Sequence, residues 1–78
     1  MNNISLKDIL IGENVYVSKI DTDSDIKRRL LDIGLSKNTK VVPLFNSVSG
    51  GIRAYEIRDS IIAIRDSDAK NILVRRDL

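Results

Sequence analysis

Turn residues divide this chain into short segments that are rich in isoleucine, valine and leucine. Two of these segments, RAYEIR and SIIAIR, are separated by Asp59 alone, which indicates a tight hairpin. β-Branched side chains favour strands, and the alternation of apolar and polar residues indicates strands with one buried face. The sequence therefore predicts five strands, at residues 14–20, 39–45, 53–58, 60–65 and 72–75.

The clearest helical pattern lies between the first two predicted strands. Ile26, Leu30 and Ile33 are spaced so that they share one side of a helix. A short helical turn is also predicted near the N-terminus, at residues 5–12, where Ser5 can act as the N-cap. Together these elements predict a mainly β fold in one domain, residues 1–78: a small β-barrel of about five strands with an inserted short α-helix and a short N-terminal helical turn.

Residues that stabilise helix termini mark both ends of the predicted helix. Asp23 or Ser24 can accept hydrogen bonds from the first backbone amides, which have no partner inside the helix. Gly34 is expected to adopt the left-handed conformation just after the helix, and Leu35 is expected to pack back on Leu30. The helix is therefore predicted at residues 24–33, held on the barrel by its apolar side.

The other sides of this helix are predicted to face solvent and to carry its charge. Arg28 lies opposite the apolar side, and Leu31 is displaced from that side by about 100–140° on a helical wheel. An exposed leucine beside cationic side chains can act as an anchor within the polar rim of a protein interface. We therefore predict a partner-binding surface made of Lys27, Arg28, Arg29 and Leu31.

A second candidate surface follows from Pro43. Proline has no backbone N–H, so within a sheet it is confined to edge strands and bulges. If the strand at residues 39–45 is an edge, it can accept an extended segment of a partner.

The residue types exclude several classes of function. The chain has no cysteine and no histidine, which excludes a disulfide framework, a thiolate nucleophile, an imidazole base and a Cys/His zinc site. The Gly50–Gly51 pair lacks the lysine and helix that phosphate binding needs, and no nucleophile motif is present, so no enzymatic activity is expected. There is no signal-peptide pattern and no apolar run of the roughly 18 residues that span a bilayer, so we expect a cytoplasmic protein.

Metal binding and nucleic-acid binding are the alternatives. Asp21, Asp23 and Asp25 resemble the start of a calcium-binding loop, which needs a glycine and a glutamate where this chain has Ile26 and Asp32. Oxygen ligands alone hold Fe²⁺ or another divalent cation weakly, so no cofactor is expected. Seven arginines could form a basic face, but the net charge is only +2 and three aromatic residues offer little base stacking, so a nucleic-acid partner is not expected. A small-barrel nucleic-acid-binding module and a weak transition-metal sensor stay open as alternatives.

Three stretches of the sequence carry a resemblance to a known family. They are SLKDILIGENVYVSKI, IKRRLLDIGLSKNTKVV and AYEIRDSIIAIRDSDAKNILV, and together they run through nearly the whole chain. In this arrangement the chain resembles the FeoA family, small cytosolic proteins with an SH3-like β-barrel that accompany the ferrous iron transporter FeoB. The same barrel is similar to the C-terminal domain of iron-dependent repressors.

The resemblance implies a non-enzymatic accessory protein of ferrous iron uptake. Such a protein would bind the cytoplasmic side of FeoB and modulate its GTPase activity or its assembly. Family members are often described as transition metal ion binding, whereas this chain offers only oxygen ligands. Two stretches depart from the family pattern: SKNTK replaces a glycine turn after the helix, where Asn38 tolerates the left-handed conformation, and SVSGGIR replaces a Gly-Asp-Pro loop.

Overall fold

The computed structural model describes residues 3–76, and most of its regular structure is strand. The elements in chain order are β1 (Ile4–Ser5), a 3₁₀ helix (Leu6–Asp8), β2 (Val15–Ile20), α1 (Ser24–Asp32), β3 (Lys40–Asn46), β4 (Ile52–Ile57), β5 (Ser60–Arg65), α2 (Asp66–Ala69) and β6 (Ile72–Arg75). The predicted mainly β fold is confirmed, and all five predicted strands are present. The sequence pattern missed β1, which is too short to show alternation and exists because it pairs with β6.

All six strands form one antiparallel sheet in the order β1-β6-β2-β3-β4-β5. Within residues 3–76 no pairing joins β1 to β5, so backbone hydrogen bonds do not close the sheet into the predicted barrel. β5 is therefore an edge strand, and it pairs with β4 over its whole length without a register shift.

The core consists of aliphatic side chains and one tyrosine that the strands and helices direct inward. Its members are Leu6, Ile9, Val15, Val17, Ile20, Leu30, Leu35, Val41, Tyr55, Ile57, Ile64, Ala69, Ile72 and Val74. Simple alternation along β2 would place Ile20 on the opposite face from Val17. A register shift between Val17 and Lys19 in the pairing with β6 turns Ile20 inward as well, so a bulge completes this part of the core.

β3 is an interior strand, so the edge predicted at Pro43 is wrong. Val41 of β3 lies opposite Val15 of β2, and Pro43 lies opposite Tyr55 of β4. The register with β4 shifts between Pro43 and Phe45, which is the bulge that was the other option for a proline in a sheet. Because β3 has neighbours on both sides, it offers no edge for a partner strand at this position.

Two turns hold non-glycine residues in the left-handed conformation. The β4–β5 hairpin turns at Arg58 and Asp59, with φ angles of 50° and 68°, the pattern of a type I′ turn. Arg58 therefore belongs to the turn and not to the strand predicted at 53–58. Asn38, with a φ angle of 70°, adopts the left-handed conformation that asparagine tolerates.

Candidate functional site

Local sequence fixes both ends of α1. At the N-terminus a carboxylate oxygen of Asp23 accepts a hydrogen bond from the backbone N–H three residues on, at 3.1 Å. At the C-terminus the Leu35 N–H donates to the Leu30 carbonyl at 3.1 Å, and the Gly34 N–H donates to the Leu31 carbonyl at 3.0 Å. Gly34 has a φ angle of 110°, so the predicted glycine-terminated helix end is confirmed.

Leu30 and Leu35 hold α1 on the sheet. Their exposed fractions are 5% and 0%, and Ile26 packs half-buried against the same core. The prediction that Ile33 joins this anchor is wrong, since Ile33 is 38% exposed. The helix ends at Asp32 with Ile33 as its C-cap, and Ile33 is not part of the buried core that Leu30 and Leu35 join.

The four residues predicted to bind a partner lie on the solvent side of α1. Lys27, Arg28 and Arg29 are exposed, and Leu31 is 43% exposed. Within residues 3–76 none of these three cations has a carboxylate within 4.0 Å. Lys27 and Leu31 line a groove on one side of the helix, Arg29 lines a groove on the other side, and Arg28 lines neither. The structure therefore divides the predicted surface between two grooves.

The first groove, which we call the lysine groove, lies between β2 and α1 and has a volume of about 210 Å³. Its lining consists of Val17, Ser18, Lys19, Ile20, Lys27, Leu31, Leu35 and Lys37. The apolar floor belongs to the protein core, while the three lysines are exposed. Sequence reasoning missed Lys19 and Lys37, because they share a groove with Lys27 only through the placement of α1 beside β2. The sequence gives one local indication: Lys37 follows the helix-terminating Gly34 by three residues, which places it near the end of α1.

The second groove lies between α1 and β5 and has a volume of about 220 Å³. Its lining consists of Ile26, Arg29, Leu30, Ile33, Ala63, Ile64, Arg65 and Asp68. Five of these eight residues are apolar, and the two arginines share the lining with the carboxylate of Asp68. Its charge is therefore mixed.

Two arginines outside α1 are bound to the fold by their own hydrogen bonds. Arg53 donates to the backbone carbonyl of Ile9 at 2.6 Å and to the side-chain oxygen of Asn46 at 2.9 Å. Arg75 donates to the hydroxyl of Ser18 at 2.9 Å. Each of these guanidinium groups joins segments that are far apart in sequence, so each has a structural role.

Arg58 and Arg76 are held in the same way. Arg58 donates to the carbonyl of Gly34 at 3.3 Å and to the hydroxyl of Ser36 at 3.0 Å, where it also meets the negative end of α1. Arg76 pairs with Glu13 at 2.5 Å, and this hydrogen bond lowers the pKa of Glu13 and raises the pKa of Arg76. Four of the seven arginines thus make intramolecular bonds, and the arginines do not form one continuous basic face.

A third cavity, of about 450 Å³, lies beside the β4–β5 turn. Its lining consists of Lys37, Asn38, Thr39, Lys40, Glu56, Arg58 and Asp59. Both acidic and basic side chains line it, so it does not present charge of one sign.

The carboxylates and one buried tyrosine are the remaining candidates for chemistry among residues 3–76. Within residues 3–76 no three carboxylates come together in a group that could hold a metal ion, and Asp23 of the aspartate run caps α1. The hydroxyl of Tyr55 is buried without a hydrogen-bond partner in that part of the chain, and burial raises the pKa of Tyr55. The nearby guanidinium of Arg53 opposes this shift only in part, so the phenol stays neutral at physiological pH.

The fold and the site define a small SH3-like β-module with one helix that presents cations to solvent. Among residues 3–76 no helix combines the length and apolar character that a membrane crossing requires. A FeoA-like protein from Clostridium acetobutylicum has the same fold, with a TM-score of 0.89, 28% sequence identity, and coverage of 100% of this chain and 91% of that one. The FeoA protein from Chlorobium tepidum matches with a TM-score of 0.87, 22% identity, and coverage of 94% and 70%.

The same architecture recurs as a part of larger proteins. A manganese-dependent transcriptional repressor matches with a TM-score of 0.86 and 20% identity, over 96% of this chain and 42% of the repressor. At this identity the likeness shows the fold alone. No curated protein matches the sequence.

The FeoA domain matches residues 4–76, and the chain belongs to the FeoA family. The resemblance stated from the sequence is therefore confirmed. The family consists of small accessory domains associated with the Feo system, and membership implies a role in ferrous iron transport.

Proposed function

We propose that this protein is a non-enzymatic adaptor of ferrous iron uptake that binds the cytoplasmic side of the FeoB transporter. In this role it acts in the cytoplasm, reaches the membrane only through its partner, and modulates the GTPase activity or the assembly of FeoB. Fe²⁺ is the cargo of the transporter, and the adaptor needs no cofactor of its own.

The exposed surface of α1 is the observation that carries this proposal. Lys27, Arg28 and Arg29 have no carboxylate within 4.0 Å in the described part of the chain, and Leu31 stands among them with 43% of its surface exposed. An apolar anchor within a charged rim is a common arrangement at protein interfaces.

The helix can bind a partner without losing its own attachment. Leu30 and Leu35 face the core, whereas the proposed contact residues face away from it. Docking on Arg28 and Leu31 therefore leaves the residues that anchor α1 undisturbed, which suits an adaptor that keeps its fold when it binds.

Calorimetric titration of this protein into the purified cytoplasmic domain of FeoB tests the proposal. We expect saturable binding, and we expect GTP hydrolysis by full-length FeoB to change when the protein is added. Leu31→Asp and Arg28→Glu should each weaken binding by about tenfold, as for residues at the centre of an interface. Lys7→Glu, in the exposed 3₁₀ helix, is the matched control and should bind like the unaltered protein.

Absence of binding heat together with unchanged GTP hydrolysis would overturn the proposal. If the α1 variants bind the FeoB domain as tightly as the unaltered protein, FeoB is still the partner, but α1 is not the binding surface.

A further inference from the structure

We infer that the lysine groove receives a short acidic segment of a partner protein, with one apolar side chain of that segment inserted between the lysines. This inference rests on the proposed function, because it assigns a chemistry to the segment that an adaptor of this kind would bind.

The floor of the groove is suited to an apolar side chain. Val17, Ile20 and Leu35 form it with exposed fractions of 5% or less, and Leu31 stands at its side with 43% of its surface exposed. A side chain that enters this space of about 210 Å³ would bury its own surface and that of Leu31 together.

The rim of the groove has charges of one sign. Lys19, Lys27 and Lys37 are exposed and line the groove, and its lining contains no acidic residue. Like charges in one place repel each other, so this arrangement does not contribute to the stability of the fold. A segment with several carboxylates around its apolar anchor would relieve the repulsion when it binds.

The other cavities do not share this property. The groove between α1 and β5 contains Asp68 beside its arginines, and the cavity at the β4–β5 turn contains Glu56 and Asp59. The absence of acidic residues is therefore specific to the lysine groove among these three cavities.

The shape of the groove favours a protein segment over an anionic membrane. A lipid surface can approach exposed lysines, but it cannot fill a recess whose floor belongs to the core of the protein. A peptide can place one side chain in the recess and its carboxylates at the rim.

Chemical-shift titration of the full-length, isotope-labelled protein tests the inference. The probe is an acetylated heptapeptide of glutamates and aspartates with one central leucine, and the comparison peptide has alanine in place of leucine. We expect amide shifts confined to the residues that line the lysine groove. We also expect the affinity for the alanine peptide to be lower than that for the leucine peptide by a factor of about five or more. The affinity of the Lys27→Glu and Lys37→Glu variants for the leucine peptide should fall by a similar factor. Lys7→Glu is the charge-matched control and should not change binding.

Three results would overturn the inference. These are equal binding of both peptides, shifts spread over all lysines of the protein, and groove shifts caused by phosphatidylglycerol vesicles but not by the peptide. The FeoB titration separates this failure from failure of the proposed function. If the FeoB domain binds Lys27→Glu and Lys37→Glu as tightly as the unaltered protein, the groove inference fails and the adaptor function stands. If the peptide binds in the groove and the FeoB domain does not bind, the groove inference stands and the proposed partner is wrong.

Discussion

Arg28 on α1 and Arg53 on β4 carry the same guanidinium group in opposite settings. Arg53 is half-buried and donates to the Ile9 carbonyl and to Asn46, across sequence separations of 44 and 7 residues. Arg28 is exposed and has no carboxylate within 4.0 Å in residues 3–76. The difference shows that a count of cations in a sequence mixes side chains that hold the fold with side chains available to a partner.

The distinction matters because the two groups invite different functional conclusions. If all seven arginines faced solvent, a basic surface for nucleic acid would be a reasonable hypothesis. With four of them bound to carbonyls, hydroxyls, an amide and a carboxylate of their own chain, most of the arginines are engaged within the fold, whereas the cations of α1 and of the lysine groove are exposed to another molecule.

The largest expected effect comes from loosening the anchor of α1, which would displace its cations altogether. Leu30→Ala removes a side chain that is 5% exposed and should lower the free energy of unfolding by about 2–5 kcal/mol. Leu31→Ala, one position along the same helix, should lower it by less than about 1 kcal/mol. Urea unfolding of both variants measures the difference, and equal losses would mean that Leu30 does not anchor the helix.

The comparison between the two arginines can be measured directly. Arg53→Ala leaves the Ile9 carbonyl without its charged donor and should lower the free energy of unfolding by about 1.5–3 kcal/mol. Arg28→Ala should change it by no more than about 0.5 kcal/mol. If the two substitutions had the same effect in urea unfolding, the division into structural and available cations would be wrong.

Gly34→Ala tests the C-terminal end of α1. There Arg58, one of the structural arginines, donates to the Gly34 carbonyl just beyond the helix that carries the available cations. A Cβ atom at Gly34 would lie 3.1 Å from Cδ of Arg58, and the φ angle of 110° is unfavourable for alanine. We expect a loss of about 1–2 kcal/mol in the free energy of unfolding. Repeating the substitution in Arg58→Ala gives a double-mutant cycle. A coupling energy of zero would show that backbone strain alone accounts for the loss.

The smallest effect concerns the exposed pair of Glu13 and Arg76. Because the hydrogen bond from Arg76 lowers the pKa of Glu13, the pair contributes stability above the ordinary carboxyl pKa of 4.5. That contribution is lost as the pH falls through the lowered pKa. The melting temperature, measured by thermal unfolding between pH 7 and pH 3, should therefore decline slightly less for Glu13→Gln than for the unaltered protein. Identical declines would mean that the pair is not populated in solution.

Features determined by neighbours along the chain could be predicted from the sequence. The ends of α1 follow from Asp23, Gly34 and Leu35, whose conformations and contacts lie within one turn of the helix. The exposure of Leu31 follows from its angular position on the same helix.

Features that depend on pairing between distant segments could not be predicted in the same way. Alternation places Ile20 on the wrong face because a bulge in the pairing with β6 intervenes, and Pro43 is compatible with both an edge and a bulge until the strand order is known. The lysine groove belongs to this class, since Lys19, Lys27 and Lys37 line one groove only where α1 lies beside β2 in the fold.

The open edge at β5 has a consequence for hydrogen exchange. The turn at Arg58 and Asp59 makes Ile57 and Ser60 a hydrogen-bonded pair. In an antiparallel pair of strands, hydrogen-bonded and non-hydrogen-bonded residue pairs alternate, and the bond from the Asp66 N–H to the Gly51 carbonyl fits this alternation. The amides of Ile62 and Ile64 therefore point toward β4, while those of Ile61 and Ala63 point to the solvent beyond the sheet. In deuterated water this strand should show protection at every second residue, and slow exchange at Ile61 and Ala63 would reveal a neighbour on that edge in solution.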